Sequence, residues 1–117
     1  MVAYNFQAQF ADAVASGAKR QTIRATGKRR HARAGDPLQL YTGMRSKSCR
    51  KLLEAVCVQA VPVHISEDGA VTWAGSQLPG AQVASLALQD GFQDVAAFLD
   101  FFRTQHGLPF QGVCISW

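Results

Sequence analysis

Acidic residues are nearly missing from one long stretch of this chain. Between Lys19 and Lys51 lie eleven of the twelve Lys and Arg residues and a single acid, Asp36. That stretch carries +10 and leaves −6 for the remainder of a chain whose net charge is +4. A surface tuned only for solubility intersperses the two signs, so the segregation implies a polyanionic partner or substrate. Cysteine is also scarce. Cys49, Cys57 and Cys114 are odd in number and contain no CxxC pair, which excludes a disulfide framework and a zinc knuckle and predicts reduced, mostly buried thiols. His31, His64 and His106 stand at no ligand spacing from one another or from a cysteine, so no metal and no cofactor are expected.

Long apolar runs are lacking too. None approaches the ~20 residues that span a bilayer. The small-residue run Ala13-Val14-Ala15 has no basic segment before it and follows Asp12, unlike a secretory leader. A soluble, cytoplasmic, monomeric protein without membrane attachment is the expectation. No Ser-His-Asp order, glycine-rich phosphate loop or paired histidines suited to acid–base cleavage occur.

What is present is globular composition, 48% hydrophobic and 17% charged over 117 residues, enough for one domain around one core. Phe6, Phe10 and Val14 recur every four residues and predict a helix over about Gln7 to Ser16, capped by Gly17. A short strand over Arg20–Arg24 and an exposed cationic loop over Ala25–Ala34 follow. The turn Gly35-Asp36-Pro37 leads into a strand over Leu38–Thr42, then a second basic loop over Gly43–Arg50. Leu52–Ile65 reads as one long strand with Pro62 at a bulge or edge, turning through Asp68-Gly69 into a return strand over Val71–Trp73. After Leu78-Pro79-Gly80, Val83, Leu86 and Ala87 mark a short helix ending at Asp90-Gly91. Val95, Phe98, Leu99 and Phe102 mark a second helix, with Asp94 near its positive end and Gly107 after it. Phe110–Trp117 closes the chain as a strand. The class is α+β, a small mixed β-barrel flanked by helices.

Gly17-Ala18-Lys19-Arg20-Gln21-Thr22-Ile23-Arg24, followed by Gly35-Asp36-Pro37-Leu38, resembles the opening signature of the ASCH domain family, a G-x-K-x-x-T-x-R segment, a basic loop and a G-D-x-L strand. Asp90-Gly91-Phe92, the Phe98–Phe102 helix and the closing Trp117 are similar to later family elements in the same order. The resemblance spans nearly the whole chain. It implies a PUA-like barrel with a cleft beside the first helix that takes RNA or nucleotides. Some small members are amidohydrolases that remove an acyl group from the exocyclic amine of a modified cytidine, and a ribonuclease has been described. The amidohydrolase residues fall on Lys19, Thr22 and Asp90, the last being a glutamate in the enzymes and so one methylene longer there.

Three positions apart on a strand, Lys19 and Thr22 point to opposite faces, so they converge only if the chain is still turning at Lys19. In that geometry a desolvated Lys19 serves as base toward the Thr22 hydroxyl, Thr22 attacks an amide carbon, and Asp90 orients the amine. The ordinary alternative is a solvated lysine after a helix cap, a strand threonine and a capping acid. The candidate nucleic-acid contacts are Lys19, Arg20, Arg24, Lys28, Arg29, Arg30, Arg33, Arg45, Lys47 and Arg50. If about five of them meet phosphates, affinity for single-stranded RNA falls with salt at a log–log slope of about −3.5. Tyr41 and Trp73 are candidate stacking faces, with core packing as the ordinary role. The leading expectation is an RNA- or nucleotide-binding domain; the alternatives are the amidohydrolase, a ribonuclease, or an adaptor for an acidic protein.

Overall fold

The computed structural model describes residues 2–117. Val2, Tyr4 and Phe6 alternate inward along strand β1 (Val2–Phe6) and are buried. Phe6 therefore belongs to a strand that the sequence reading missed. Its spacing of four from Phe10 matches a helical stripe by coincidence. Helix α1 (Ala8–Ser16) buries Phe10, Ala11 and Val14 and ends at Gly17, whose φ of 85° lets its N–H reach the Val14 carbonyl at 3.2 Å. Strands β2 (Gln21–Ala25) and β3 (Pro37–Thr42) lie close to their predicted ranges.

The expected single strand over Leu52–Ile65 is two strands, β4 (Arg50–Val56) and β5 (Gln59–Ile65), in different sheets. Between them the chain turns at the buried Cys57, whose N–H donates to the Asp36 carbonyl and whose own carbonyl accepts from Gly35. Its neighbour Val58 donates to Ser116 of the other sheet. The apolar run is unbroken across this corner, so periodicity carries no trace of it.

β1 runs parallel to β3, and β3 antiparallel to β4, in a three-stranded sheet. The second sheet contains β6 (Val71–Trp73), β7 (Ser76–Gln77) and β8 (Phe110–Ser116) in the order β2-β8-β5-β6-β7. Ala74 and Gly75, both at positive φ, make the two-residue turn between β6 and β7, a strand too short for the sequence to announce. Pro62 lies in β5 one residue outside the β6 ladder, and its carbonyl accepts from Ala74, so its missing N–H faces past the ladder's end.

Helices α2 (Gly80–Gln89) and α3 (Val95–Gln105) cover the five-stranded sheet, α3 being capped by the Asp94 side chain, which accepts from Ala97 N–H at 2.8 Å. The architecture is α+β as expected. Its eight strands, however, are bonded as two sheets and not as the one closed barrel anticipated. Nor is there one core. One apolar cluster joins α1 to the three-stranded sheet and the end of β8, a second joins α2 and α3 to the five-stranded sheet, and Phe92 and Phe101 pack against both. Among the described residues no helix is long and apolar enough to cross a membrane, and no group of three His, Cys, Asp or Glu side chains could hold a metal ion.

Candidate functional site

At the junction of the two cores lies a cavity of about 300 Å³, walled by Phe6, Phe10, Phe92 and Phe101. Lys19, Thr22, Arg24 and Asp90, all named from the sequence, line it together. The chain is still turning at Lys19, whose N–H reaches back to the Ala13 carbonyl at 2.9 Å, so the side chain enters the cavity before β2 begins. Lys19 is only 3% exposed. Its Nζ donates to the backbone carbonyl of Asp90 and, at 3.1 Å, to Asp90 Oδ1. Gly91, at φ +96°, makes the approach possible: a Cβ there would stand 3.2 Å from Lys19 Cδ and 3.1 Å from the Phe10 ring.

Asp90 follows α2 as its C-cap and is as buried as Lys19; Gln21 Nε2 also donates to its Oδ1, at 3.4 Å. Burial pushes the Lys19 ammonium below its ordinary range against the pull of Asp90, and Arg24 adds to the push. Burial likewise raises the Asp90 carboxyl, with Lys19 opposing. For both partners the loss of hydration exceeds the mutual attraction, so Lys19 is lowered and Asp90 raised. Asp90 Oδ2 makes no hydrogen bond among the described residues and is not sealed from solvent, which leaves an acceptor open to the cavity.

Arg24 is fixed on several sides. Its Nε donates to Thr22 Oγ1 at 2.9 Å, an Nη donates to the Asn5 carbonyl at 2.8 Å, and its guanidinium lies 5.1 Å from the Tyr4 ring centre and 4.9 Å from that of Phe6. Burial lowers its pKa to about 10, with the nearby Arg29 lowering it and Tyr4 opposing. Lys19 is thus bonded to Asp90 and Thr22 to Arg24. The direct Lys19-to-Thr22 contact expected from the motif is replaced by two pairs sharing one cavity.

A comparison of the chain with protein-family models, curated proteins and solved structures finds no match. The role of the cavity has to follow from its own chemistry.

The other predicted contacts divide. Arg29 lies beside Arg24, its guanidinium 4.7 Å from the Tyr4 ring centre and bonded to the Ala3 carbonyl. The second basic loop is pinned to the cavity rim, since Met44 N–H donates to Asn5 Oδ1 at 2.9 Å and Asn5 lines the cavity. Lys28, Arg45 and Lys47 are exposed. Arg20 is turned away onto the Trp117 carbonyl, Arg30 pairs with Asp36, and Arg50 stands 4.0 Å from Asp12. Arg33 is exposed with its backbone N–H on Asp36. His31 is tied to the Tyr4 hydroxyl and the Ala25 carbonyl. Tyr41 and Trp73 are half-buried and line no part of this cavity; its flat faces are phenylalanines.

Asn5, Gln7, Gln105 and His106 complete the polar lining and were not singled out in the sequence. Burial, then Arg24, holds His106 below the usual imidazole range. Gln105 and His106 end α3 far along the chain, and only tertiary packing brings them to Lys19. Cys57 and Cys114 are buried, Cys114 being pushed up to about 12 by that burial, whereas Cys49 is exposed in the second basic loop.

Proposed function

We propose that the chain is an ASCH-like domain of PUA-like fold that binds RNA or a nucleotide, with one base entering the cavity between the two cores. The observation that carries this is the convergence of Lys19, Thr22, Arg24 and Asp90 on one phenylalanine-walled hollow, with Arg24 and the second basic loop both bonded to Asn5 on its rim. A flat base fits against the aromatic wall. Arg24 N–H groups serve its acceptors, and Asp90 Oδ2 accepts one of its N–H groups. The exposed cations then meet phosphate.

The same four residues favour a second reading, hydrolysis of an N-acylated cytidine. Thr22 Oγ1 would attack the acyl carbon, Lys19 would carry the hydroxyl proton to the departing amine, and water would cleave the acyl-threonine ester to the free acid. That route requires Lys19 Nζ to exchange Asp90 for Thr22, so binding stands ahead of turnover.

An NMR titration with short single-stranded RNA and with nucleotides tests the first reading. Resonances of Lys19, Arg24, Phe92 and Gln105 should move together at low salt. Shifts confined to the exposed loops, or none, would overturn it. Supplied with an N-acylated cytidine, the same sample releases cytidine in the wild type and not in Thr22→Val if the second reading holds.

A further inference from the structure

The outer edge of β1 is covered by two arginines. Residues two apart in a strand present their carbonyls to the same side. Ala3 and Asn5 therefore both face away from β3, and they accept from Arg29 and Arg24 respectively. Both guanidinia rest on the Tyr4 ring, which is itself fully buried and held through its hydroxyl to Ala32 N–H and His31. Two like charges thus share one rigid support. None of the ion pairs among the described residues involves either one.

Covering a strand edge does not need both full forks. A guanidinium has five N–H donors. Arg24 uses two of its N–H groups within the protein and Arg29 one. Arg24 is not left with a sealed, unpartnered nitrogen, so its remaining groups reach solvent or the cavity it lines, and Arg29 is exposed. Pre-oriented forks without a carboxylate are suited to a tetrahedral dianion that takes parallel N–H bonds from each.

We infer that Arg24 and Arg29 form a phosphate subsite at the mouth of the cavity, so that the ligand is a phosphorylated nucleotide or an RNA residue and not a free nucleoside. The inference rests on the binding proposed above and deepens it. Arg24 belongs to both cavity and subsite, and so links base to phosphate through one side chain.

Calorimetric titration of the full chain with the four ribonucleosides, their 5′- and 3′-monophosphates, and inorganic phosphate tests the subsite. At least one monophosphate should bind about tenfold to a hundredfold more tightly than its nucleoside, as charge-assisted bonds to one phosphate allow. Arg29→Ala, an exposed position, should remove most of that monophosphate's advantage over its nucleoside, Arg24 keeping the rest, and Arg29→Lys should restore only part. If nucleosides bind as well as their monophosphates, or Arg29→Ala keeps the phosphate advantage, the subsite is refuted and the base cavity stands. Inorganic phosphate binding as tightly as the best monophosphate would overturn the nucleotide as ligand and the base cavity with it, since the base would then contribute nothing. Failure of every nucleoside and nucleotide to bind overturns both.

Discussion

Lys19 and Asp90 face each other where water scarcely reaches, and that decides how each responds to losing the other. Removing one member of a buried pair typically costs about 3–5 kcal/mol, because the remaining charge keeps its burial and loses its partner. In Lys19→Met the Asp90 carboxyl, already raised by burial, loses the cation that opposes the rise. A folded-state pKa above the unfolded one contributes stability that is present below the unfolded value and lost as pH climbs through the folded value. The deficit of Lys19→Met relative to the wild type should therefore be smaller near pH 4 than near pH 8, as read from urea midpoints. The double variant Lys19→Met/Asp90→Asn should recover most of the loss at pH 8. A deficit that stays flat with pH would mean that Asp90 is hydrated after all.

Strand β8 lies between β2 and β5 and leaves no room at Gly112. A Cβ on Gly112 would come 2.4 Å from the Arg24 carbonyl and 2.7 Å from the Phe110 ring. Gly112→Ala should cost about 1–3 kcal/mol, as overpacking does, and should weaken nucleotide binding as well, because the displaced backbone is that of Arg24. Asp94→Ala, which removes the α3 cap, should cost about 1 kcal/mol and leave binding unchanged. Denaturation and titration of both variants separate the two effects. Local signals announced α1, β2, β3, β6, α2, α3 and β8, where a cap, a turn pair or a helical stripe punctuates the chain. They failed at β1, where Phe6 satisfies strand alternation and helical spacing equally, and at Cys57, where an apolar run crosses between sheets with no glycine or proline to mark it. The same contrast holds for the site. Lys19, Thr22 and Arg24 are close in sequence and were visible as a motif, whereas Gln21, Gln105 and His106 acquire their places only when the helices pack.

Over the whole molecule, the cationic stretch is sorted by its partners. Arg30 is matched with Asp36, Lys51 with Glu54, Arg50 with Asp12 and Lys19 with Asp90, while Arg20, Arg24, Lys28, Arg29, Arg33, Arg45 and Lys47 form no ion pair among the described residues. About five of these meeting phosphate set the expected salt response, a log–log slope of about −3.5 for single-stranded RNA. Arg29→Ala should lower its magnitude by about 0.7, and Arg30→Ala by clearly less. Equal effects from the two variants, in binding measured across a salt series, would show that the ion pairs do not sort the cations.

The central position of β8 bears on how the protein is made. Synthesis runs from the N-terminus, and residues 110–116 leave the ribosome after both strands that flank them. Until then β2 and β5 wait with open hydrogen-bonding edges on the side that β8 will fill. A cell making this protein quickly would need something to shelter those edges until β8 has emerged.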